Sequence, residues 1–212
     1  MVKMKMNEIE IRSSKFCDAR KLVIILHGYG NSGSDYVKPI ENFFADEIED
    51  AIFLLPNAPT PCETWTGRQW FSLTLEGMTY EEIRHGLHEA TPILTEYINK
   101  KVAVYNCENV LLIGISQGAF MALEMIYYVN IAGVVSYCGL FIRNKEKHLV
   151  SKPKILLIHS DNDKIVPYTY AQEAKTDLEE LELDVELKTY QHLGHSISTD
   201  EWRYGASVMR KW

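Results

Sequence analysis

With 212 residues, 46% of them hydrophobic and 24% charged, the chain has the composition of one ordinary globular domain spanning 1–212, and not of a disordered or fibrous protein. A formal net charge of −7 lacks the basic footprint that draws nucleic acid or an anionic membrane surface, so neither partner is expected. Cys17, Cys62, Cys107 and Cys138 lie far apart, with no CxxC pair and no histidine at metal-ligand spacing, which predicts buried reduced thiols rather than a disulfide framework or a zinc site.

The opening stretch "MVKMKMNEIEIRSS" carries lysines but no apolar leader segment, and no run approaches the ~18 apolar residues of a membrane span. A cytoplasmic protein without stable membrane insertion is the expectation. Short apolar runs then recur along the chain: "IEI" at 9–11, "LVIIL" at 22–26 and "AIFLL" at 51–55. Before the third, Phe43, Phe44, Ile48 and Ala51 sit at helical spacing. From Pro56 to Thr79 prolines and glycines predict one long irregular segment, whose aromatics Trp65, Trp70 and Phe71 would be costly to leave in water. Ile83, Leu87, Ala90, Leu94 and Ile98 form a helical stripe that reads as a core face. "NVLLIG" at 109–114 precedes a helical stretch from Ala119 to Tyr128, and "AGVVSYC" at 132–138, "KILLIH" at 154–159 and "VELKTY" at 185–190 complete the strand series. Several runs are apolar throughout, as in strands covered on both faces. Strands alternating with helices predict an α/β fold with a mostly parallel central sheet and helices on both faces.

The loop after the second strand, "HGYGNSG", has glycines at 28, 30 and 33. In a dinucleotide-binding fold the next strand would end in an acid that holds a ribose hydroxyl; here it ends "FLLPNAP", without one. A strand ending His27-Gly-x-Gly instead resembles the loop that donates one oxyanion N–H in α/β-hydrolases, which demands a nucleophile elsewhere. Gly114-Ile115-Ser116-Gln117-Gly118 supplies Gly-x-Ser-x-Gly between an apolar strand and a helix, where the glycines leave room for a tight, strained turn. A serine hydroxyl needs an imidazole oriented by a carboxylate. After "KILLIH" come Asp161 and Asp163; after "VELKTY" come His192 and His195. Asp163 is taken as the acid, because Asp-x-x-Val-Pro from 163 to 167 matches the acid loop of these hydrolases, with Asp161 shaping the loop. His195, after Gly194 and before a helix start at Ser196 or Ser198, is taken as the base, with His192 in the turn. His85, His88 and His148 read as solvated or core-satisfied, and His27 as a brace of its own loop.

With "LHGYGNSG", "LPNAP", "GRQWF", "GISQGAF", "HSDNDKIVP" and "GHSIS" in this order over nearly the whole length, the chain resembles the phospholipase/carboxylesterase family of α/β-hydrolases, which includes the acyl-protein thioesterases. The resemblance implies that the backbone N–H groups of Tyr29 and Gln117 form the oxyanion hole and that the loop carrying Trp70 and Phe71 lines the acyl pocket. Tyr29 stands where well-studied thioesterases of the family have leucine, and Gly139 to Lys152 leaves no length for a large lid. The expected function is hydrolysis of a carboxylic ester or thioester through an acyl-enzyme on Ser116, with His195 as general base, Asp163 as its partner, and no cofactor or metal. A carboxylesterase acting on a small-molecule ester leads; a lysophospholipase, an acyl-protein thioesterase acting on an acylated protein, and a non-catalytic ligand-binding homologue are the alternatives.

Overall fold

The computed structural model describes residues 6–14, 20–63, 66–73 and 79–212. Its strands are β1 (Glu8–Arg12), β2 (Lys21–Leu26), β3 (Ala51–Pro56), the two-residue β4 (Thr60–Pro61) and β5 (Arg68–Gln69), β6 (Asn109–Ile115), β7 (Gly133–Tyr137), β8 (Lys154–Ser160) and β9 (Asp184–Tyr190). Seven of them form one sheet in the order β1-β3-β2-β6-β7-β8-β9. Only β1 runs antiparallel to its neighbour; every other pairing is parallel. Each apolar run of the sequence is a strand of this sheet. β4 and β5 add a small ribbon within the segment read as irregular.

Alternation along β2 explains why its residues are all apolar. Leu22, Ile24 and Leu26 point to one face and Val23 and Ile25 to the other, and all five are fully buried. The first face packs against α2 (Tyr80–Tyr105), α3 (Gln117–Glu124) and α4 (Tyr168–Glu180) through residues such as Leu87, Leu94, Phe120 and Leu178. On the second face lie Phe44, Ile48, Trp202 and Met209, from the 33–48 segment and from α5 (Thr199–Met209). α2 begins in a capping box between Thr79 and Glu82 and ends at Asn106 with φ 50°. α5 starts the same way at Ser198 with Glu201, so Ser198 rather than Ser196 is the helix start.

The stripe from Phe43 to Ala51 is not one helix. A 3₁₀ turn (Gly33–Tyr36), the single turn α1 (Val37–Pro39) and a π-helical turn (Ile40–Phe44) precede irregular turns, and Ala51 already opens β3. Asp50, at φ 54°, breaks the helical path one residue earlier. Among the thiols, Cys107 and Cys138 are buried as expected, whereas Cys62 is only half-buried; Cys17 and Trp65 lie outside the described residues. Gly139 to Lys152 crosses between β7 and β8 without helix or strand, and Leu140, Phe141 and Ile142 tie it to the core. No helix among the described residues is long and apolar enough to cross a membrane.

Candidate active site

Because β2, β6, β7, β8 and β9 are parallel, the residues following each emerge at one edge of the sheet, where ligands bind in open α/β folds. Ser116 leaves β6 there with φ 50° and ψ −116°, outside the regions open to an ordinary side chain, a strain of roughly 1–3 kcal/mol. The Ser116 N–H donates to the Tyr137 carbonyl at 2.8 Å, and the Ser116 carbonyl accepts from Ala119 at 2.8 Å. The flanking glycines are steric necessities: a Cβ on Gly114 would stand 2.4 Å from the Ala119 Cα, and one on Gly118 would stand 2.0 Å from the Leu26 carbonyl oxygen.

His195 lies between the serine and the acid. Its Nε2 is 3.0 Å from Ser116 Oγ, and its Nδ1 is 2.7 Å from Asp163 Oδ2. An ionised carboxylate only accepts, so Nδ1 carries the hydrogen and, in the neutral ring, Nε2 faces Ser116 Oγ as an acceptor. The other oxygen, Asp163 Oδ1, accepts from the N–H groups of Ile165 at 2.9 Å and Val166 at 3.0 Å. Burial alone pushes the Asp163 carboxyl up, but hydrogen bonds from His159 and His195, with the His195 charge and the Val166 N–H, outweigh it and hold the group well below the usual carboxylate range.

Short polar side chains join the acid loop to the histidine loop. Asp161 Oδ1 accepts from the His192 N–H at 2.9 Å, Ser160 Oγ from Leu193 at 3.0 Å, and Asn162 Oδ1 from Gly194 at 2.7 Å. Asp161 therefore shapes the loop, and exposed His192 sits in the turn with φ 60°. His85, His88 and His148 are exposed.

On the other side of Ser116 the glycine loop is held by His27, which is fully buried. Its Nε2 accepts from the Ala58 N–H at 2.9 Å, so Nδ1 is the donor to the Gly28 carbonyl at 2.8 Å. Burial pulls its pKa down, keeping the ring neutral in this bracing role. Gln117, buried at the start of α3, accepts from the Trp70 N–H at 2.9 Å and donates to the Phe71 carbonyl at 2.7 Å. Its own backbone N–H is among the first of a helix, groups left without an intrahelical acceptor. The Trp70 indole donates to the His27 carbonyl at 2.8 Å, and Arg68 donates to the carbonyls of Ala58 and Pro59.

A cavity of about 340 Å³ opens beside Ser116, lined by Tyr29, Tyr36, Cys138, His195, Ile197 and Trp202 among others. Trp70 and Phe71 are not among its described walls. They are buried, face a separate cavity of about 350 Å³ beside Pro59 and Ala90, and brace the elbow through their backbones. The Phe71 ring fills the space above Gly86 of α2, where a Cβ would approach it to 2.1 Å. Tyr36 donates to Asn31 Oδ1 at 3.1 Å, and burial pushes its phenol up to about 12, so it lines the cavity as a neutral hydroxyl. Cys138, Asp163 and His195 offer ligand atoms within 4.8 Å of one another. Burial and the adjacent Asp163 and Glu201 charges push the Cys138 thiol well up, however, and Asp163 and His195 already spend their facing atoms on each other. That donor set does not suit a metal ion. The sequence reading does not reach Gln117 as a latch, Asn162, Arg68, Cys138 or His159, although GRQWF holds Arg68, GISQGAF holds Gln117, and HSDNDKIVP holds both His159 and Asn162.

A strained serine elbow at the carboxyl edge of a parallel sheet, in line with an imidazole and a buried carboxylate, defines the class as an α/β-hydrolase. A family model described as phospholipase/carboxylesterase matches residues 6–212. The carboxylesterase SOBER1 of Arabidopsis thaliana is 30% identical over 210 residues, covering 91% of each chain. The esterase YpfH of Escherichia coli is 27% identical over 196 residues, covering 91% of this chain and 83% of its own. Among solved structures, that of esterase PE8 superposes with a TM-score of 0.90 at 30% identity, covering 98% of this chain and 99% of the other. The chain belongs to the phospholipase/carboxylesterase family, and it is a carboxylic ester hydrolase.

Proposed function

We propose that Ser116 is the nucleophile, His195 the general base and Asp163 its orienting acid in a carboxylesterase acting on small-molecule esters. The observation that carries this reading is the continuous line from Ser116 Oγ to His195 at 3.0 Å and from His195 to Asp163 at 2.7 Å. The serine oxygen bonds to the ester carbonyl carbon as its proton passes to His195 Nε2. The N–H groups of Tyr29 and Gln117 receive the oxyanion; loss of one such donor costs roughly 10²–10³-fold in rate. Collapse breaks the carbon–oxygen bond to the alcohol, which leaves with the proton from His195. Water then delivers its hydroxyl to the acyl carbon and its proton to His195, releasing the acid and restoring the serine. The compact cavity beside Ser116 supports a short ester, and residues 1–212 act as one catalytic unit in the cytoplasm on this reading.

The test is the hydrolysis rate across p-nitrophenyl esters from acetyl to palmitoyl, with Ser116→Ala alongside. Ser116→Ala should lower kcat by about 10⁴-fold or more. A rate maximum between acetyl and butyryl supports the carboxylesterase. A maximum at octanoyl or beyond instead indicates a lysophospholipid or acylated-protein substrate, to be separated by assays on those two. Failure of a fluorophosphonate to label wild-type Ser116 would identify a non-catalytic homologue.

A further inference from the structure

A second imidazole stands beside Asp163, near the oxygen that also accepts from His195. His159 is the penultimate residue of β8 and is 1% exposed. Its Nε2 lies 2.8 Å from the Val166 carbonyl and 3.5 Å from Asp163 Oδ2, the same oxygen that accepts from His195. A carbonyl only accepts, so Nε2 carries the hydrogen and presents it between the two oxygens. Val166 is also the residue whose N–H holds Asp163 Oδ1. One side chain thus grips the turn that fixes one carboxylate oxygen and leans on the other oxygen.

We propose that His159 is a positioning residue for the hydrolytic site: its Nε2–H anchors the turn from Asp163 to Val166 on β8 and competes with His195 for Asp163 Oδ2. This rests on the assignment of Ser116, His195 and Asp163 given above. The titratable groups facing the pair are His195, Cys138 after β7, Glu201 on α5 and Tyr168 at the start of α4. Cys138 and Glu201 are both pushed up by burial, and Tyr168 meets the His159 ring edge-on with centroids 6.0 Å apart. Of these side chains, His159 and His195 are the two that offer Asp163 Oδ2 a nitrogen-bound hydrogen. Hydrogen bonds to the charged form of a carboxylate favour that form, and the His159 bond is foremost among those opposing burial at Asp163.

The consequence has a definite sign. A carboxylate relieved of the His159 donor is freer to bind the protonated form of His195, so the base is neutralised only at higher pH. Glutamine places its amide nitrogen where histidine has Nε2, whereas asparagine is one bond too short to reach Val166. His159→Asn should lower kcat roughly tenfold with KM within about twofold, and should move the acid limb of kcat/KM up by about half a pH unit. His159→Gln should restore the wild-type limb and most of kcat. A His159→Asn enzyme with the wild-type acid limb overturns the proposal, as does a His159→Gln enzyme whose limb moves as far as that of the asparagine variant. Should His159→Asn not fold, His159→Leu, which has no hydrogen for Val166 or Asp163, takes its place in the same comparison with His159→Gln. Ser116→Ala measured in parallel separates the two failures: activity that survives Ser116→Ala removes the underlying assignment, whereas an inactive Ser116→Ala beside an unshifted His159→Asn removes only the role of His159.

Discussion

The two halves of the site are built by different physics. On the Ser116 side, β6, α3 and the end of β2 approach until only glycine fits, as at Gly118 against the Leu26 carbonyl. On the acid and histidine side, loops that do not touch so closely are joined by Ser160, Asp161 and Asn162 reaching to the backbone of residues 192–194. Steric fit tolerates almost no change, whereas separate hydrogen bonds fail one at a time. A glycine from each half makes the contrast sharp. Gly118 has no space for a Cβ, while Gly194 has nothing within 4 Å but sits at φ 65°.

The largest effect is expected from Gly118→Ala. With its Cβ 2.0 Å from a backbone oxygen, the elbow must move, costing about 3 kcal/mol or more and abolishing turnover. Thermal unfolding together with an ester assay checks this, and a soluble, active variant with the wild-type Tm would break the comparison outright. Asn162→Ala comes next. It strips the acceptors for the Gly194 N–H and the Ser160 hydroxyl, for about 1–3 kcal/mol of stability and a several-fold fall in kcat as His195 loosens. Urea titration and steady-state kinetics read both quantities. The smallest effect belongs to Gly194→Ala, where backbone strain without a clash costs about 1–2 kcal/mol and leaves kcat within about threefold. A Gly194→Ala variant as damaged as Gly118→Ala would show that the histidine loop, too, is limited by shape.

How much of this was legible before the structure follows the same division. The seven sheet strands could be read because strands covered on both faces must be apolar throughout, and the serine, acid and histidine because each follows a strand at one edge of the sheet. Gly-x-Ser-x-Gly was legible because steric need leaves a mark on the sequence. The polar stitching was not: nothing local to Gln117 tells that its amide holds the backbone of Trp70 and Phe71, and nothing local to His159 tells that its ring meets Val166 and Asp163. The Gln117 pairing depends on where a distant loop folds back, and the His159 pairing on how the turn from Asp163 to Val166 closes onto the end of β8. Phe43 to Ala51 misled for a related reason, since helical spacing is also met by a turn that runs into a strand beginning at Ala51.

The Gln117 latch has a consequence for how such a protein can change. The residue next to Ser116 grips the chain at Trp70 and Phe71, so a mutation that shifts those two backbones also drags on the strained turn at Ser116. On the function proposed above, substrate range is more readily altered at the cavity wall formed by Tyr29, Tyr36 and Ile197 than at the backbones of residues 70 and 71, which the latch holds. For an engineer, those wall positions are the dial, and the latch is the part to leave alone.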